Sequence, residues 1–77
     1  EAEKFDIVGR AVEHFSASHE VIDVDGARVL FDGGWGLLRA SNTQPVLVLR
    51  YEARTEAQLA AIRETMEGWL RSQGVTG

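Results

Sequence analysis

The chain has no cysteine, which excludes a disulfide framework and any thiolate metal site. It has no apolar run near the ~20 residues that a membrane-spanning helix needs, and no signal peptide. Nothing in it signals secretion, so the expectation is a cytoplasmic chain that engages no membrane. It lacks a basic surplus as well. The formal charge is -4 at pH 7, whereas a nucleic-acid binder needs a cationic face to displace counterions, so nucleic acid is not an expected partner. A complete catalytic set is also missing. His14 and His19 have no metal-ligand spacing with each other or with acids, and read as surface or cap residues. The acids are scattered, and Ser16, Ser18, Ser41 and Ser72 have no neighbouring base. Gly33-Gly34-Trp35-Gly36 lacks both phosphate-loop spacing and a following helix, and reads as a hairpin turn with an aromatic anchor. What is left is binding and orientation.

What is present is one small domain, residues 1–77, with no repeat, low-complexity tract or linker. A chain of this size buries only about 60% of its unfolded surface and needs good packing. From Glu1 to about Ala17, Phe5, Val8, Ala11, Val12 and Phe15 recur at helical spacing, with Glu1, Glu3 and Asp6 near the N-terminal end, where the dipole favours acids. Gly9 costs such a helix about 1 kcal/mol against alanine and suggests close backbone packing. A helix that begins almost at residue 1 suggests a chain cut from something longer.

Strands are expected over Glu20–Val24, Ala27–Asp32, Trp35–Ala40 and Val46–Ala53. Asp25-Gly26 signals a two-residue hairpin and Gly33-Gly34 a second turn. In the last strand Leu47, Leu49, Tyr51 and Ala53 share one face, and Val46, Val48, Arg50 and Glu52 the other. Thr55-x-x-Gln58 opens a final helix as a capping box. Leu59, Ile62, Met66, Trp69 and Leu70 form that helix's apolar stripe, more plausibly core than a cofactor box, and Gly74 marks its end. The fold class is therefore α+β: a two-layer sandwich of order αββββα, a four-stranded antiparallel meander with both helices on one face.

The chemistry concentrates in Arg39-Ala40-Ser41-Asn42-Thr43-Gln44-Pro45, between two strands. Arg39 can make a paired, charge-assisted contact to phosphate or carboxylate. Ser41, Asn42 and Thr43 add neutral donors, and a tight loop adds backbone N–H groups. The same residue types are also ordinary turn chemistry. Arg50 either supports the loop or is solvated near Glu52. Two functions stay open: an anion-binding loop, or an interaction module that docks a partner through the free sheet face or the Trp35 region, with RNA disfavoured by the acidic charge and the lack of paired aromatics.

Asp25-Gly26-Ala27-Arg28-Val29, followed by the run Gly34-Trp35-Gly36-Leu37-Leu38-Arg39-Ala40-Ser41-Asn42-Thr43-Gln44-Pro45-Val46-Leu47-Val48-Leu49-Arg50-Tyr51-Glu52-Ala53, closely resembles the C-terminal, fourth domain of the α-D-phosphohexomutases. The bacterial phosphomannomutase/phosphoglucomutase branch is the most similar. The resemblance spans about Val21 to Ile62, and Arg-x-Ser-Asn-Thr-x-Pro between two strands is its most specific part. The phosphoglucosamine branch usually has Gly where this chain has Asn42, which favours a hexose phosphate without an amino group.

The resemblance implies a four-domain enzyme that interconverts hexose 1-phosphate and hexose 6-phosphate through a phosphoserine and a sugar bisphosphate, with Mg²⁺ held in another domain. The fourth domain clamps the non-reacting phosphate and rotates to close the cleft. Carried over by position, Arg39, Ser41, Asn42 and Thr43 are the substrate-phosphate contacts. Gln44 stands where the family varies and receives no role. The phosphoserine segment, metal loop and sugar-specificity loop are absent here, as is the short strand that usually precedes the first helix. The expected partners are a phosphosugar and the other domains of the same enzyme. No catalytic residue and no metal are expected in this chain, and it should not turn over substrate alone.

Overall fold

The computed structural model describes residues 2–24, 26–41 and 46–74, with side chains from Asp6 onward. Helix α1 spans Ala2–Ser16 and helix α2 spans Glu56–Ser72. Between them run β1 (Val21–Ile22), β2 (Ala27–Phe31), β3 (Gly34–Ala40) and β4 (Leu47–Ala53). The strands form one antiparallel sheet in chain order, β1-β2-β3-β4. The architecture is the αββββα two-layer α+β sandwich that the apolar spacing implies.

Alternation along the strands decides which residues meet the helices. Ala27 and Val29 on β2 and Leu38 on β3 are buried, and Phe31, Leu47, Leu49, Tyr51 and Ala53 pack against the same core. Helix α1 contributes Ile7, Ala11 and Phe15, and α2 contributes Ile62, Met66 and Leu70. Helix α1 lies over β1, β2 and β3, and α2 lies over β3 and β4. Gly36 explains how α2 comes so near the sheet centre. A Cβ there would stand 3.1 Å from the Met66 Cγ and 3.2 Å from the Ile62 Cγ2, so a side chain would crowd both residues of the helix. Tyr51 pins β4 to α2 by donating its hydroxyl hydrogen to the Glu67 Oε2 at 3.0 Å. Burial, reinforced by that bond and by the nearby carboxylate charge, pushes the Tyr51 phenol well above its ordinary value. Half of the expected capping box forms at the α2 N-terminus: the Thr55 hydroxyl accepts from the Gln58 N–H at 3.1 Å, while the Gln58 Oε1 accepts from that hydroxyl at 3.3 Å instead of from a backbone N–H.

Four details differ from the sequence expectation. Asp25 lies outside the described residues, but the register of β1 on β2 is not that of a two-residue hairpin at Asp25-Gly26. That geometry would pair Ile22 with Val29, whereas Ile22 pairs with Arg28 and Val21 with Val29. Gly26 also meets a third strand. Gly26 adopts φ 95° and lies so close to β3 that a Cβ would stand 2.5 Å from the Leu38 carbonyl oxygen and 2.6 Å from the Arg39 Cβ. The chain therefore crosses against β3 before entering β2. The second turn centres on Asp32-Gly33, with φ 83° at Gly33, and Gly34 already belongs to β3.

Gly9 is the third difference. It is exposed, and a Cβ there would meet nothing within 4 Å, so it serves no close packing. Gly9→Ala should therefore stabilise the fold by about 0.5–1 kcal/mol through helix propensity and a less flexible unfolded chain. Urea denaturation measures this, and an unchanged or lower midpoint would contradict it. The fourth difference concerns the helix stripes. Leu59 is 37% exposed rather than core, while Ile7 is buried at 5%. The Phe5 side chain lies outside the described residues.

Candidate functional site

The sheet has a second face, which no described helix covers. Arg39 stands on it because its neighbour Leu38 points into the core, 0% exposed, and strand side chains alternate. Arg39 pairs with Val48 across β3 and β4, and it is half-buried. Its stem rests beside the Gly26 backbone, which only a residue without Cβ permits. Sequence reasoning marked Gly26 as a turn residue and missed this role. The close approach is to β3, thirteen residues further along the chain, and no local pattern signals it.

Ser41 follows β3 directly. Its N–H donates to the Val46 carbonyl at 3.0 Å, which carries the β3–β4 ladder one step beyond Ala40 and Leu47. The two ends of the 42–45 segment are thereby held one strand spacing apart. Alternation sets Ser41 on the side of Arg39. Thus Arg39 and Ser41, both half-buried, come together at one end of the open face. Asn42 and Thr43, also expected as phosphate contacts, lie outside the described residues, as do Gln44 and Pro45.

The arrangement sets a planar guanidinium and a hydroxyl on one face at the mouth of a hairpin. Such a set can accept a phosphate or carboxylate by two parallel N–H···O bonds plus one neutral donor. Two concavities elsewhere do not include these residues. One of about 520 Å³, lined by Phe31, Gly33, Trp35, Glu52 and Arg54 among others, lies at the opposite end of β3. The other, about 240 Å³, lies on the open face against Ile22, Val24, Arg28 and Leu37.

The remaining candidates resolve into packing. His14 stacks on Trp69 with ring centroids 5.3 Å apart, and His19 lies 4.6 Å from Phe31. Trp69, Met66 and Ile62 serve the core. Trp35 is not a turn anchor. It stands on the open face beneath Arg28, whose guanidinium carbon is 4.7 Å from the ring centroid. Among the described residues no three His, Asp or Glu side chains converge in a way that could hold a metal ion. None of the helices in the described residues is long and apolar enough to cross a membrane.

Fold and site together define a class: a small two-layer α+β domain that presents polar groups from a hairpin end. Residues 2–68 match the family described as phosphoglucomutase/phosphomannomutase, C-terminal domain. The chain belongs to that family.

Individual relatives agree. A phosphoglucomutase of Neisseria gonorrhoeae is 45% identical over 62 residues, covering 80% of this chain and 14% of that protein. A phosphomannomutase/phosphoglucomutase of Pseudomonas syringae is 54% identical over 48 residues, covering 62% of this chain and 10% of that protein. The crystal structure of a phosphoglucomutase/phosphomannomutase family protein from Burkholderia thailandensis superimposes with a TM-score of 0.67 at 39% identity, covering 79% of this chain and 15% of that one. The chain therefore spans between one tenth and about one seventh of the length of these relatives.

Proposed function

We propose that this chain is the phosphate-clamping domain of a phosphomannomutase/phosphoglucomutase, an enzyme that interconverts hexose 1-phosphate and hexose 6-phosphate through a phosphoserine and a sugar bisphosphate. The domain grips the phosphate that is not reacting and closes the cleft over it. One observation supports this above the others: Arg39 is turned out of the core at a strand end whose hairpin is fastened by the Ser41–Val46 bond.

In this reading Arg39 supplies the paired bonds and Ser41 a further donor, joined by Asn42 and Thr43. Their contribution is binding and orientation, which hold the sugar while chemistry proceeds elsewhere. The Mg²⁺, the phosphoserine and the sugar-discriminating groups belong to the rest of the enzyme. The proposed setting is the cytoplasm, in covalent company with the other domains.

Hydrogen bonds to a charged group contribute about 1.5–3 kcal/mol each. Two or three of them, less the cost of association, put the lone domain's affinity for glucose 1-phosphate in the roughly millimolar range. Calorimetric titration should give that affinity, with no binding of neutral glucose and no mutase turnover. Silence at tens of millimolar, or equal heats with both sugars, would overturn the reading.

A second reading has one observation in its favour. Apolar side chains stand exposed along the open face and its rim, with Ile22 at 41% and Val24 at 90%. In that reading the face docks a protein partner without enzymatic involvement. A binding map centred on β1 and β2 and indifferent to phosphate would select it.

A further inference from the structure

Charge is sorted between the two layers of this domain. The four strands contain three arginines, Arg28, Arg39 and Arg50, and a single acid, Glu52. The helices carry six of the twelve acids, Glu3, Asp6 and Glu13 on α1 and Glu56, Glu64 and Glu67 on α2, against four cations, Lys4, Arg10, Arg63 and Arg71. Strand register then sorts the arginines a second time. Arg28 pairs with Leu37 and Leu37 with Arg50, so the two guanidiniums flank one leucine in a single cross-strand row. Since Leu37 lies two residues from Arg39, all three arginines stand on the open face. Glu52 pairs with Trp35, one row further from Ser41.

Neighbouring strands are spaced about 4.8 Å apart, and diagonal positions two residues along lie about 7–8 Å away. Arg28 and Arg50 are thus roughly 10 Å apart, with Arg39 a comparable distance from each. Both flanking arginines are exposed. Arg28 is propped on the Trp35 ring at 4.7 Å. Among the described residues the Arg50 guanidinium makes neither a hydrogen bond nor an ion pair. The domain as a whole is acidic, at -4, yet this face is positive toward the hairpin.

We propose that Arg28 and Arg50 form an electrostatic approach to the Arg39–Ser41 end, drawing phosphoryl dianions across the open face of an otherwise acidic domain. The inference rests on the phosphate-clamp reading and extends it to two residues that touch no phosphate themselves. They act by charge at a distance, so geometry of the cationic head is immaterial. In water a unit charge about 10 Å from a dianion changes its affinity roughly threefold at low ionic strength. At about 0.5 M salt, where screening acts within a few ångströms, the effect vanishes.

The test is titration of the whole 77-residue chain with glucose 1-phosphate at pH 7.5, at about 10 mM and about 0.5 M ionic strength. The double variant Arg28→Gln/Arg50→Gln should bind roughly tenfold more weakly than the parent at low salt and equally at high salt. Arg28→Lys/Arg50→Lys should behave as the parent at both. A Gln variant equal to the parent at low salt would overturn the proposal. So would a loss that persists at high salt, or a loss that lysine fails to rescue, since either means direct contact. The clamp reading fails separately, if Arg39→Ala leaves affinity unchanged. Circular dichroism of each variant confirms that the comparison is between folded chains.

Discussion

Phe15→Ala is expected to destabilise the domain by about 3–5 kcal/mol, enough to leave a large share of a chain this size unfolded at 25 °C. Phe15 is 2% exposed and is among the largest fully buried side chains. Its ring meets Trp69 edge-on, with centroids 5.6 Å apart, and His19 at 6.1 Å. Removing it empties the junction where α1, the end of α2 and the chain entering β1 meet. The core it belongs to is closely shut from solvent, with Ala11, Val29 and Leu38 all at 0% exposure. Urea denaturation reads the effect, and Phe15→Leu serves as a folded reference with a smaller loss. A midpoint shift worth less than about 1 kcal/mol in the alanine variant would contradict this core assignment. The consequence reaches the site. It is burial of Leu38 on one side of β3 that turns Arg39 out on the other.

Arg39→Ala is expected to weaken glucose 1-phosphate binding by at least about tenfold, which corresponds to losing one or more charge-assisted hydrogen bonds. Its cost to the fold should be small, because the side chain lies on the uncovered face and contributes nothing to the buried core. Thermal melting should move by no more than a few degrees, given that 1 kcal/mol shifts a domain of this size by about 4–8 °C. Arg39→Lys should recover part of the affinity, since an ammonium keeps the charge but lacks the planar fork. An alanine variant that binds normally would remove Arg39 from the site. One that fails to fold would make it a structural residue instead.

Much of this was legible along the chain because period and parity are local. Leu47, Leu49, Tyr51 and Ala53 alternate so regularly that their face could be named, and all four pack against the core. Thr55 and Gln58 signalled the start of α2 through a bond made within four residues. What stayed hidden depends on strands far apart in sequence. The close approach of Gly26 to Leu38 and Arg39 is one such feature, and nothing beside Gly26 in the chain signals it. The seat of Trp35 under Arg28 needs the β2–β3 register, as does the row Arg28-Leu37-Arg50. At the site itself, Arg39 and Ser41 were legible as residue types, and register adds that they share one end of one face. Asn42 and Thr43 rest on the family resemblance, since they lie outside the described residues.

The most direct measurement is an amide-resolved titration of the ¹⁵N-labelled chain with inorganic phosphate. The largest shifts should fall on Arg39, Ser41 and the loop residues that follow as far as Val46, with the Trp35–Glu52 end and α1 unmoved. Shifts that instead spread evenly over the sheet, or that centre on the Phe31–Arg54 concavity while Arg39 and Ser41 stay still, would contradict the account.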